Sequence, residues 1–279
     1  MTYFLDFRTS DVGGSPTFPR LLYGNGAASP LLLTLVEQQF VPSHVNAKNL
    51  LFATHGFNVS RQQGALAMNT LDRYLDLSPP DLLLGVLWPG DAWIPVVDYP
   101  LEGNVAITCG QFMASFCNSA CAGAQSLSFL SHSLGARVVL EAMMHLDRAD
   151  VRSVCLTAAA INRDALVGEY RFVPSIADRI SLLASHSDDV LKLAFTVGDP
   201  FADLLHDDHS PFQPALGSDG PPLPAISPIT QPWQIPDRYG YGHGDYLPGL
   251  PPPAVAKWQK AADFMRRSFF GQPQTWPSA

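Results

Sequence analysis

The chain has 279 residues, a formal net charge of -8, 47% hydrophobic residues and 15% charged residues. This is the balance of a globular protein with a sizeable core, and it argues against nucleic-acid binding, which needs clustered basic charge. No apolar run is long enough to span a bilayer, and the first residues lack a basic segment followed by an apolar one, so no stable membrane insertion and a cytoplasmic location are expected.

Met1 to Phe7 alternates apolar and polar residues in the manner of an edge strand. The next stretch is broken by Gly13-Gly14 and Gly24-Asn25-Gly26, and Leu31 to Val41 is its best strand candidate. Asn49 to Thr54 is a short apolar run suited to a strand buried on both faces. It ends in His55-Gly56-Phe57-Asn58-Val59-Ser60, and a helix is predicted from Arg61 to Leu75. Pro79-Pro80 interrupts the chain before a buried strand, Leu82 to Leu87, which Trp88-Pro89-Gly90 stops. A helix near Val105 to Cys121 follows. The four cysteines (Cys109, Cys117, Cys121 and Cys155) have no disulfide-framework spacing and read as small buried hydrophobes.

The stretch Ser126 to Ala136 organises the rest. Leu127, Phe129 and Leu130 suggest a buried strand, and Ala136, Val139, Leu140, Met143 and Met144 have the spacing of one helix face. Between them Ser131-His132-Ser133-Leu134-Gly135 has the strand–turn–helix form of a nucleophile elbow, usually G-x-S-x-G. The sharp turn needs small residues two before and two after the serine. Gly135 meets that demand better than Ser131 does.

Val151 to Ala160 and Ile180 to Ser185 are two further strand candidates. Strands alternating with helices predict an α/β fold, with a mostly parallel central sheet and helices on both faces. From Asp199 to Tyr241 the composition turns to Pro, Gly, Asp and Ser, with apolar and aromatic residues interspersed. That pattern predicts an ordered, Pro-rich cover or lid inserted in a single domain spanning residues 1–279. An amphipathic helix through Val255, Trp258, Ala262 and Met265 closes the chain.

Ligands and catalytic groups of open α/β sheets gather past the carboxyl ends of the strands. Those ends carry, in order, His55-Gly56-Phe57, Trp88-Pro89, Ser133, Asn162 to Asp164, His186 to Asp189 and, beyond the Pro-rich stretch, Gly242-His243-Gly244. A neutral serine hydroxyl needs a base, and the base needs a carboxylate to fix its tautomer. Ser133 is the candidate nucleophile, His243 the base and Asp188 the orienting acid, with Asp189 and then Asp164 as alternatives. The amides of Leu134, at the start of a helix, and of Phe57, beside the flexible Gly56, are the candidate oxyanion donors. His55 and His132 read as structural hydrogen-bonding residues. Trp88, Trp93 and Tyr99 are candidates for lining an acyl or alcohol pocket, or for packing on the sheet edge.

His206-Asp207-Asp208-His209 offers metal-ligand chemistry, but adjacent ligands rarely converge on one ion, so it reads as a solvated acidic tip. No metal and no cofactor are expected.

With these residues assembled, the chain resembles the α/β-hydrolase superfamily, and within it an esterase-like bacterial branch of unknown function. That branch has an H-G-[YF]-N-V-S loop, matched by His55 to Ser60, and a W-P turn, matched by Trp88-Pro89. Its H-S-[ML]-G elbow and following helix correspond to His132 to Gly135 and Arg137 to Ala142. Its S-x-x-D-x-[AV]-L segment fits Ser185 to Leu191 with Asp188 at the acid, and its G-H-x-x-[YF] segment fits Gly242 to Tyr246. The match runs from about residue 49 to 247 and departs at Ser131 and at Ala159-Ala160-Ile161, where the branch has A-P-D. The resemblance implies a carboxylic-ester hydrolase acting on a small-molecule ester through a Ser-His-Asp triad and an acyl-enzyme. Thioesters, amides or lactones as substrates, activity at a lipid surface, a catalytically silent binding module and a homo-oligomer all stay open at this level.

Overall fold

The computed structural model describes residues 1–24, 30–91, 99–148, 150–196, 213–249 and 255–274. Among the described residues nine strands form one sheet: β1 (Thr2–Asp6), β2 (Arg20–Gly24), β3 (Leu33–Leu35), β4 (Asn49–Thr54), β5 (Asp81–Leu87), β6 (Ser126–His132), β7 (Val151–Thr157), β8 (Ile180–Leu183) and β9 (Ile229–Thr230). Their order is β3-β2-β1-β5-β4-β6-β7-β8-β9. The β1–β2 and β2–β3 pairs are antiparallel and every other pair is parallel.

From β4 the chain passes to β5 on one side and then returns to β6 on the other, so β4 and β6 flank a topological switch point. Ligands of open α/β sheets bind outside the strand ends at such a point. The register sets Thr54 opposite Ser131, which brings the turns after β4 and β6 side by side.

Helices α1 (Val41–Val45), α2 (Arg61–Leu75), α3 (Tyr99–Ser119), α4 (Gly135–Met144), α5 (Val173–Ile176), α6 (Asp189–Thr196), α7 (Leu216–Asp219) and α8 (Val255–Phe269) accompany the sheet. Pairs α2/α8 and α3/α4 each pack together, α2 and α8 against β5 and β7, α4 against β4 and β6. The start of α2 is written in its sequence. Ser60 Oγ accepts from the Gln63 amide while Gln63 Oε1 accepts from the Ser60 amide, a reciprocal cap. Ala65, Met68, Leu71 and Leu75 then bury one face at helical spacing.

Two expectations about the first strands need correction. β1 is interior, paired on both sides, although its sequence alternates like an edge. The polar residues that create the alternation are buried with partners. Asp6 accepts from Arg20 and Arg61 at 3.0 and 2.7 Å, and Thr2 Oγ1 bonds Asn69 at 3.1 Å. The strand expected over Leu31 to Val41 shortens to β3, because the chain winds into a 3-10 turn at Gln38–Phe40 and then α1, with Pro42 in its first turn.

Of the Pro-rich stretch expected to form a cover, residues 199–212 lie outside the described residues. Further on, Leu216 and Gly217 donate to Ile161 O and Ala159 O in the turn after β7, at 2.8 and 3.0 Å, and residues 229–235 run along the β8 edge of the sheet. β9 joins β8, Ala184 exchanges main-chain hydrogen bonds with Trp233 and Ile235 at 2.9 and 2.8 Å, and Ile235 is buried. All four cysteines are buried and unbridged.

Candidate active site

β6 ends in a turn that forces Ser133 into the left-handed region, at φ 53°. The energetic cost of that conformation for a non-glycine residue is of order 1–3 kcal/mol. Two main-chain bonds hold it there: the Ser133 amide donates to Thr157 O at 3.0 Å, and its carbonyl accepts from Ala160 at 3.2 Å. The helix α4 begins immediately after, with Leu134 as its N-cap. A Cβ on Gly135 would lie 2.5 Å from His55 O, so only glycine allows α4 to start this close to β4. Ser131 fits the other tight position, but its buried hydroxyl has no hydrogen-bond partner among the described residues.

The three candidate triad side chains, far apart in the chain, stand in one hydrogen-bonded line. Ser133 Oγ is 2.8 Å from His243 Nε2, and His243 Nδ1 is 2.8 Å from Asp188 Oδ2. Asp188 is fully buried at the head of α6, where its Oδ1 also accepts from the Leu191 amide at 3.0 Å. Both carboxylate oxygens are thus occupied, which aims Oδ2 at the imidazole. Asp189, the alternative acid, points outward with 93% of its side chain exposed, near Lys192 at 3.8 Å. Asp164 lies in the turn after β7, where its carbonyl accepts from Val167 and Gly168. With Nδ1 bonded to a carboxylate, Nε2 of His243 is the nitrogen that faces the serine hydroxyl, the arrangement a general base requires.

The loop carrying His243 is held from several sides. Ser185 Oγ donates to Tyr241 O at 2.7 Å, Lys257 Nζ on α8 donates to Gly240 O and to Asp245 Oδ2 at 2.6 and 2.8 Å, and Asp245 accepts from the Gly242 amide at 2.9 Å. His132 Nε2 donates to the His243 carbonyl at 2.8 Å. The His132 ring lies 4.9 Å from that of His243 and 6.0 Å from that of Tyr246. Burial, then the neighbouring His243, push its pKa down to about 3, so it is a neutral donor.

The turn after β4 abuts the serine, since a Cβ on Gly56 would come within 2.9 Å of Ser133 Cβ and of His132 Nδ1. Phe57 and Leu134, the candidate oxyanion donors, therefore belong to the two turns that flank the switch point. His55 is buried with its Nδ1–H on Gly56 O at 2.8 Å, and burial followed by the Arg8 charge lowers its pKa to about 3. Trp88 packs inside the molecule. It is fully buried, stacked on His55 at 5.9 Å, and its Nε1–H donates to His55 O at 2.8 Å. Trp93 lies outside the described residues, as does the His206 to His209 tip; of Tyr99 only the backbone is described.

Nothing in the sequence pattern pointed to Lys257 or the contact of His132 with His243, and Ser185 stood out only as the first position of the segment that carries Asp188. Each acts on a segment distant along the chain, and each residue type is common on surfaces and helix ends. Among the described residues no three His, Cys, Asp or Glu side chains converge as a metal site would require, and no helix is long and apolar enough to cross a membrane.

A comparison with curated proteins finds no match to the chain. Residues 36–215, well over half of the 279, match the family described as alpha/beta hydrolase of unknown function, and the protein belongs to that family.

Proposed function

We propose that the protein is a serine hydrolase that cleaves carboxylic esters of small molecules through an acyl-enzyme. The observation that carries this reading is the unbroken line from Ser133 Oγ through both His243 nitrogens to Asp188, with 2.8 Å at each step. Ser133 Oγ attacks the ester carbonyl as its proton passes to His243 Nε2, and the buried Asp188 stabilises the imidazolium that forms. The amides of Phe57 and Leu134 donate to the tetrahedral oxyanion, the second aided by the positive end of α4. The intermediate collapses with the alcohol leaving, protonated by His243. Water, deprotonated by the same imidazole, then attacks the acyl-serine and restores the enzyme.

The choice of esters over thioesters or amides follows the family resemblance, and a panel of matched ester, thioester and anilide substrates ranks the three. The mechanism is tested by Ser133→Ala. Turnover of a short-chain p-nitrophenyl ester should fall by at least about 10³-fold, as expected for loss of a nucleophile, with the melting temperature maintained. Unchanged turnover, or fluorophosphonate labelling of the variant as fast as of the wild type, would remove Ser133 from the chemistry.

A further inference from the structure

A buried ion pair outside the triad joins three strand ends next to the site. Arg8, just past β1, is fully buried, and Asp91, past β5, is 3% exposed. Arg8 Nη1 donates to Asp91 Oδ1 at 2.5 Å and to the Asp11 carbonyl at 3.1 Å. Its Nη2 donates to the Val59 carbonyl at 2.5 Å. Asp91 Oδ1 also accepts from the Gly13 amide at 3.2 Å.

The segment that receives Nη2 is the turn carrying Phe57, and its main chain is fastened on both sides of that residue. Ahead of Phe57, Trp88 Nε1–H holds His55 O and the His55 imidazole holds Gly56 O, both at 2.8 Å. After it, the Asn58 amide donates to Gly90 O at 2.6 Å, and Arg8 holds Val59 O. Asn58 itself sits at φ 59°, in the left-handed region that asparagine tolerates better than most non-glycine residues. The charge of Arg8 also helps to keep His55 neutral, and in that neutral ring the bond to Gly56 O places the single proton on Nδ1.

Stability alone does not account for the pair. A well-packed apolar pair of similar volume is often as stable as a buried ion pair or more so, because both charges must be desolvated. An apolar pair could not donate to Val59 O. We propose that Arg8, itself held by Asp91, is a positioning residue that sets the Phe57 amide for the oxyanion. The proposal rests on the acyl-transfer reading of Ser133 and His243 above. Oxyanion stabilisation depends on donors fixed before charge develops, and a displacement of about 1 Å is enough to lower a rate by about 10²-fold.

The test compares Arg8→Met, Arg8→Lys, Arg8→Met/Asp91→Leu and Ser133→Ala by kcat, KM and melting temperature on a short-chain p-nitrophenyl ester. Arg8→Met should lower kcat by about 10- to 100-fold with KM within about twofold, because the lost contact acts on the transition state. Arg8→Lys, which keeps the charge but not the two-armed reach, should fall between it and the wild type. Arg8→Met/Asp91→Leu removes both charges and should recover the melting temperature without recovering kcat. Recovery of kcat together with melting temperature, or a wild-type kcat in Arg8→Met while Ser133→Ala is inactive, overturns the positioning role alone. A Ser133→Ala variant with wild-type turnover overturns the acyl-transfer reading and the positioning role with it.

Discussion

His132 and His243, more than a hundred residues apart in the chain, are joined by a hydrogen bond from the His132 imidazole to the His243 main-chain carbonyl at 2.8 Å. The strand that presents the serine thereby holds the loop that presents the imidazole. Relative placement of the two groups is set by one contact from the elbow itself, and Lys257 and Ser185 secure the same loop from α8 and from the end of β8.

His132→Phe keeps a planar ring and removes the donor. The His243 carbonyl then loses its partner, a change worth about 1–3 kcal/mol when the group is buried. In the proposed reaction kcat should fall about tenfold, with the melting temperature lowered by only a few degrees. Steady-state kinetics and a thermal scan of the variant check both effects.

Asp188 and Asp189 are neighbours in the chain with opposite environments, one fully buried against His243 and the other 93% exposed on its side chain. Asp188→Asn preserves the shape but favours the wrong imidazole tautomer, and kcat should drop by about 10³- to 10⁴-fold. Asp189→Asn should leave kcat within about twofold. Ester turnover of the two variants measured side by side distinguishes them, and a large effect at Asp189 would reverse the assignment.

Acid should destabilise the fold through His55. Its folded pKa of about 3 lies below the ordinary value of 6.5, so the unfolded chain binds a proton first as the pH falls. The stability His55 contributes is intact above about 6.5 and is lost progressively between there and about 3. Going from pH 7 to pH 5 should therefore remove about 2 kcal/mol through this residue. Urea unfolding at the two pH values measures the loss, and in His55→Asn the difference between them should shrink by about that amount. An unchanged difference would mean that His55 carries a proton in the folded state.

Much of the fold is legible in local pattern. The four consecutive apolar residues of β4, the Ser60 cap and helical spacing of α2, and the strand–serine–helix run around Ser133 each concern residues within a few positions of one another. The sequence reading fails where a polar residue is buried with distant partners. Thr2 and Asp6 imitate the outward face of an edge strand, yet they lie inside the sheet because Asn69, Arg20 and Arg61 satisfy them.

The sequence by itself determined the alternating strands and helices, the elbow at Ser133 and the set of carboxylates from which the imidazole's partner had to come. Backbone sterics and hydrophobic periodicity act over a turn or a strand, so they leave a trace in neighbouring residues. Only the tertiary structure decided that Asp188 faces His243, that Trp88 lies beneath His55, and that Arg8 reaches Val59. Those choices depend on single hydrogen bonds between segments brought together by the sheet order, and a directional contact across 33 or more residues has no period for the sequence to display.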